Sequence, residues 1–342
     1  MTAQTPEAEY LVHDKPLWRR TLMRPEAVLI LGLVIIIVGS ILFVPHYLRP
    51  NANYTFQTLL LNAMPILFLL LPLTPIIVTG DIDLSVGSVL GLSSAVFGMV
   101  FQAGAPLWVA ALVAVLIGGA IGVVNGILVT VVGLPALAVT IGTLALFRGI
   151  AVGLLGTTAI TSFPSDVTSF FHGTIPGTFI PWQLIFWAVL AAVFVILLHF
   201  TPFGRGVFAI GRSPEMATFS GVNVNRTKLI LFILSGLTAG LVGVFFTLQY
   251  SNSIGSNGLG FELRAVTAIV LGGVSIWGGR GTILGAIVGG LFIAALNKSL
   301  QVLNVGDDAI SVVTGAALIV SVVIASIAGF ISRRRRVSTS AA

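Results

Sequence analysis

Most of this chain is a succession of long apolar runs parted by short polar or glycine- and proline-rich breaks. A helix needs about 20 apolar residues to cross a hydrocarbon layer about 30 Å thick. Runs at 25–44, 58–79, 83–102, 106–132, 135–156, 181–200, 229–250, 282–300 and 309–331 fit that length. A tenth run, 262–277, is shorter and ends in Gly278-Gly279-Arg280-Gly281, so it is read as a full or a re-entrant crossing. The pattern predicts an all-α polytopic membrane protein of about ten transmembrane helices with broken or re-entrant segments. Pro65, Pro72 and Pro75 each remove a backbone donor from the second run, which is therefore expected to be kinked or broken.

Against this apolar background, residues 201–228 form the one substantial polar island between runs. Gly204-Arg205 and Gly211-Arg212 read as two breaker-plus-base pairs. Ser213-Pro214-Glu215 then spells a helix start: a capping serine, proline at the first position and an acid in the first turn. A short helix over 214–220 would end at Gly221. Residues 157–178, rich in Gly, Ser, Thr and Pro, read as an external loop.

Composition agrees with the pattern and adds the orientation. Hydrophobic residues make up 56% of the chain and charged residues 8%, and mean hydropathy is +1.08, whereas a soluble domain carries about 25% charged residues. There is no cysteine, which excludes a disulfide framework and thiolate chemistry. The net charge of +6 comes from bases at the ends of apolar runs rather than along a helix face, so it reports topology and not a nucleic-acid partner. With the N-terminus inside, Lys15, Arg19, Arg20, Arg24, Arg205, Arg212, Arg226, Lys228, Arg280 and Arg333 to Arg336 gather on the cytoplasmic side. That leaves Arg49, Arg148, Arg264 and Lys298 elsewhere. The expected organisation is a cytoplasmic segment 1–24, one transmembrane domain 25–331 with the island 201–228 inside the cell, and a basic cytoplasmic tail 332–342, in the cell membrane.

Polar residues within the apolar runs are the candidate chemistry, because ionisable groups there are costly. Asp81, Asp83 and Ser85 lie between the second and third runs, where they could line a polar route, and Asp83 could equally cap the third helix. Glu262 and Arg264 sit at the outer end of the eighth run, as a rim for a docking protein or as interfacial residues. Arg148 lies inside an apolar run with Asp81 or Asp83 as a conceivable partner, and Asn125 and Asn297 suit hydrogen bonds between helices. Gly118, Gly119, Gly122, Gly126, Gly285, Gly289 and Gly290 recur at spacings that favour close helix packing, and the similarity of 117–126 to 283–292 suggests an inverted repeat.

Three stretches resemble the permease subunits of ABC-type sugar importers, in the ribose-type class of monosaccharide carriers. They are the 80–88 stretch GDIDLSVGS, the 271–282 stretch LGGVSIWGGRGT, and, in the island, Phe203-Gly204-Arg205, Ala209-Ile210-Gly211, Ala217 and Ser220-Gly221-Val222. Asp81 departs from that pattern, which usually carries a second glycine there. The resemblance implies that the island is the cytoplasmic coupling loop, with Gly204, Arg205, Gly211, Arg212, Pro214, Glu215 and Gly221 as its ATPase-facing residues. It also implies a second permease subunit in a homo- or heterodimer, cytoplasmic ATPase subunits and an external sugar-binding protein. Branched-chain amino acid permeases share the broader architecture and stay as an alternative. The chain has no GxxxxGK[ST] phosphate loop, HExxH pair or GxSxG elbow. No enzyme activity and no cofactor of its own are therefore expected, ATP and Mg belonging to partner subunits. An ion-coupled secondary carrier using Asp81, Asp83 or Glu262 is the competing class, and it leaves the island without a task.

Overall fold

The computed structural model describes residues 25–306 and 308–323. In chain order the helices are α1 (Pro25–Phe43), α2 (Ala52–Val78), α3 (Val86–Gln102), α4 (Leu107–Thr130), α5 (Ala136–Leu155), α6 (Ser165–His172), α7 (Gln183–Phe200), α8 (Pro202–Arg212), α9 (Pro214–Phe219), α10 (Val224–Tyr250), α11 (Phe261–Leu271), α12 (Ile283–Val302) and α13 (Asp308–Val323). Among the described residues all regular structure is helical, apart from two isolated β-bridges, Ile160 to Ser253 and Thr174 to Pro181. The segment 1–24, Asp307 and residues 324–342, which include the end of the last apolar run and the basic tail 332–342, lie outside the described residues, and the expected placement of both termini lies outside them too.

Among the described residues six helices, α2, α4, α5, α7, α10 and α12, are long and apolar enough to cross a membrane, and α1, α3 and α13 are shorter apolar helices. The run at 262–277 contributes the 11-residue helix α11, about 16 Å long at 1.5 Å per residue and only half a hydrocarbon layer. A glycine turn follows it. Exposed Val28, Leu31, Leu116, Val189, Ile196 and Phe200 give α1, α4 and α7 apolar outer faces suited to lipid.

Helix α2 is the core, and its three prolines do not break it. It runs unbroken for 27 residues with nearly every residue from Ala63 to Val78 buried. Protein supplies what the prolines remove: Pro65 cannot donate to the carbonyl of Leu61, and that oxygen accepts from Gln249 Nε2 on α10 at 3.1 Å.

Helix α10 is the same length, 27 residues, and runs antiparallel to α2. Their ends are tied twice. Lys228 Nζ meets Asp81 Oδ2 at 2.8 Å just past the end of α2, while at the other end Tyr250 Oη donates to Asn62 Oδ1 at 3.0 Å beside the Gln249–Leu61 bond. Around this pair the packing crosses over: α2 lies on α11 and α12, and α10 lies on α3 and α4. The α4–α10 contact is backbone on backbone, since a Cβ on Gly118 or Gly122 would run into Gly236, Gly240 or Phe232, and one on Gly236 into Gly118 and Gly122. On α12, Gly285 and Gly289 pack in the same manner against Gly272 and Ala268.

Candidate functional site

The island between α7 and α10 is two helices, not one. Thr201 caps α8, its Oγ1 accepting from Gly204 N at 3.2 Å, and Pro202 occupies the first turn. Gly204-Arg205 and Gly211-Arg212 are therefore not breakers, as the residue types suggested. They belong to an amphipathic helix that buries Gly204, Gly206, Val207 and Ile210 and leaves Arg205 and Arg212 exposed. The chain turns at Ser213, which is extended (φ −164°, ψ 114°), and Ser213 Oγ accepts from Met216 N at 3.2 Å to start α9 behind Pro214 and Glu215. Gly221, at φ +81°, closes α9 where the sequence places its end. Only Ala217 of α9 is buried, whereas Met216 and Phe219 are 66% and 88% exposed. Clefts of about 370 Å³, lined by Thr218 and 221–225, and about 230 Å³, lined by Ala209, Arg212, Ser213 and Met216, flank it.

Gly211 is present for close approach rather than for a turn. A Cβ there would collide with the carbonyl oxygen of Val78 and the amide of Gly279, and Gly279 N donates to Val78 O at 2.8 Å. Gly278 and Gly279, at φ +80° and +73°, lie against Gly211 in turn, with Arg212 Cγ beside Gly279. The end of α8, the end of α2 and the turn after α11 thus meet backbone on backbone, with the Arg212 side chain alongside. Each of the three sequence stretches that carry the resemblance reaches this point or begins beside it.

From there the chain 79–85 descends into the helix packing. Asp81 is half-buried, paired with Lys228 and approached by Thr79 Oγ1 at 3.4 Å. Asp83 is buried at 2% exposure. Its Oδ1 accepts from Ser85 N (2.9 Å) and Ser85 Oγ (2.6 Å), and its Oδ2 from Ser235 Oγ (2.8 Å) on α10. Ser235 lies seven residues beyond Lys228 on α10, so Asp83 reaches a deeper level of the packing than Asp81. Ser85, the N-cap of α3, also accepts from Asn125 Nδ2 on α4 at 2.9 Å, while Asn125 Oδ1 is buried without a partner. The carboxylate of Asp83 therefore takes the free amide of α3's cap residue and also joins α3, α4 and α10.

A second loop, 251–260, descends from the opposite end of α10. Gly258 meets Gly87 at the start of α3, a Cβ on either falling within 3 Å of the other's carbonyl oxygen. Arg148 on α5 holds this junction: Nη1 donates to Gly255 O (3.0 Å) and Asn257 O (2.7 Å), and Nη2 to Gly87 O (2.8 Å). Its partners are carbonyls, so neither Asp81 nor Asp83 is its counter-ion. Glu262 is buried too, with Oε1 accepting from Gly260 N at 3.2 Å and Oε2 unpartnered against Gly87. Of the two rim residues, Arg264 is half-exposed over the Phe261 ring, at 5.7 Å, and Glu262 faces inward with no surface to offer a docking protein. Sequence reasoning missed Ser235, Gly87, Gly258 and the anchoring of 251–260; the glycines at 255, 258 and 260 were the available signal. Among the described residues no group of three His, Cys, Asp or Glu side chains comes together.

Residues 55–323 match the family model described as branched-chain amino acid transport system, permease component. The chain is 38% identical over 259 residues to the autoinducer 2 import system permease protein LsrD of Escherichia coli (strain SMS-3-5 / SECEC), covering 74% of this chain and 78% of that protein. It is 37% identical over 259 residues to the LsrD protein of Salmonella typhimurium (strain LT2), covering 74% and 77%. No solved structure matches it.

Proposed function

Because this chain belongs to the permease component family of branched-chain amino acid transport systems, we propose that it is the membrane-spanning subunit of an ABC importer for a monosaccharide or similar small hydroxylated compound. The observation that carries this reading is the backbone contact of Gly211 with Val78 and Gly279. A load applied to α9 reaches the end of α2, and through 79–85 the start of α3, with no flexible side chain between. Helix α9 is the coupling element: exposed Glu215, Met216 and Phe219 face an ATPase subunit, with Arg205 and Arg212 beside them. That side is the cytoplasm, in keeping with the basic residues at 205, 212, 226, 228 and 280. The crosswise packing of two equal-length helices, α2 on α11 and α12 and α10 on α3 and α4, supports an inverted repeat with the route between its halves. Gly142, Gly149 and Gly153 of α5, where a Cβ would meet nothing, offer a bare face to a second permease subunit.

The cargo reading rests on the autoinducer 2 import relatives and on the monosaccharide-importer motifs. ATP and Mg are assigned to the partner ATPase, and delivery to an external binding protein docking near Arg264. In the importer, uptake depends on the ATPase subunit and persists when the proton gradient is collapsed. The reverse dependence would establish a secondary carrier. For the coupling element, Glu215→Lys and Gly221→Val are expected to leave the protein in the membrane while uncoupling ATP hydrolysis from uptake. The valine would be strained at φ +81°, and wild-type transport by both variants would remove α9 from this role.

A further inference from the structure

The turn after α11 carries an indole that the packing does not use. Trp277 is 82% exposed, while its neighbours are fastened: Ser275 N donates to Arg280 O and Gly278 N to Ser275 O, both at 3.0 Å, and Gly279 N is bonded to Val78 O. Positive φ at Gly278, Gly279 and Gly281 lets the chain reverse within a few residues, and these backbone bonds tie the turn down. A large aromatic side chain is thus held outward on a rigid support. Gly279 rests on Gly211 and Arg212, and Arg212 immediately precedes the cap of α9. The indole and the exposed Met216 and Phe219 therefore project from one continuous backbone unit, among the exposed guanidiniums of Arg212 and Arg280.

We propose that Trp277 is a second contact for the ATPase subunit, beside α9, so that the partner grips the permease on both sides of the Gly211–Gly279 contact. This rests on the reading of α9 as the coupling element. Two features favour a protein occupant. Trp and Arg together are what the centre of a protein interface is enriched in, and a contact on this turn would bear directly on the end of α2, which a purely lipid-facing anchor has no need to do. A membrane-surface position is the competing occupant, since Trp also collects at lipid headgroups.

The chain contains no cysteine, so single cysteines can be placed at 216 and 277 and cross-linked in membranes from cells that co-express the full transporter. The expected result is that both positions link to one protein, identified by mass spectrometry as carrying a GxxxxGK[ST] loop. Linking from 216 alone, with 277 quenched by a lipid-phase reagent, overturns the second contact and leaves the coupling reading standing. Linking from neither removes both. Independently of cross-linking, Trp277→Ala should weaken ATPase association about tenfold and Trp277→Phe much less, at unchanged membrane levels. Equal, wild-type association of both variants would overturn the proposal.

Discussion

The loops 79–85 and 251–260 do the same job from opposite ends of the α2–α10 pair and do it with opposite chemistry. Each follows a 27-residue helix and leads into a shorter one, of 17 and 11 residues. The first carries its own charge: Asp83 is answered by hydroxyls and an amide, two of them from Ser85 two residues away. The second is answered at its carbonyls by one guanidinium from α5, more than a hundred residues back in the chain, and its Ser253 and Asn257 side chains donate across to Ser94 on α3. A loop that caps itself tolerates loss of one partner, because its remaining bonds are local. A loop whose main ties run to other helices is more exposed to the loss of one of them.

This comparison orders the expected effects of substitution. Arg148→Leu should be the most damaging, since it removes three hydrogen bonds from a charged donor, each worth about 1.5–3 kcal/mol. We expect uptake at background and a clear drop in thermal stability of the purified protein, with Arg148→Lys restoring part of the stability. A stable, active leucine variant would show that the 251–260 loop holds itself. Gly87→Ala comes next, because the new methyl would collide with Glu262 and Gly258 where the start of α3 meets the 251–260 loop. Overpacking of this kind costs about 1–3 kcal/mol, and a stability measurement equal to wild type would mean that Gly258 does not bear on the start of α3.

Asp83→Asn should act more gently. The amide oxygen still accepts from Ser85 and the new amine donates to Ser235, so about 1 kcal/mol is lost, and uptake should fall several-fold with assembly and ATPase coupling intact. Loss of folded protein instead would make Asp83 purely structural. Asp81→Gly should be the mildest, since Lys228 lies in the second turn of α10 and its long side chain can carry the ammonium to water once the partner is gone. Near-normal uptake is expected, and a loss as large as that for Asp83→Asn would mean that the tie to Lys228 matters as much as the deeper node.

Local chemistry was legible wherever a few adjacent residues satisfy one another. Ser213-Pro214-Glu215 and Gly221 marked α9 correctly, because a serine cap, a proline lacking a donor and a glycine at positive φ act within one turn. The all-helical class followed from apolar run length, because lipid leaves backbone groups no partner outside the helix. The same local logic misread α8, where Gly204-Arg205 and Gly211-Arg212 looked like breakers. It also misread α2, where three prolines looked like a break although Gln249 on another helix waits for the freed carbonyl.

What the sequence by itself determined, then, is the all-helical class, where α9 starts and stops, and that Asp83 and Ser85 stand together between the second and third apolar runs. Only the tertiary structure decided that Asp81 pairs with Lys228, that Glu262 faces inward and that Arg148 serves carbonyls rather than a carboxylate. It alone brought Gly211, Val78 and Gly279 to one point. The reason is range. A cap or a crossing helix is settled by bonds within a turn, whereas the partner of a buried charge is whichever group the packing of distant helices carries within about 3 Å of it, and neither composition nor spacing encodes that distance.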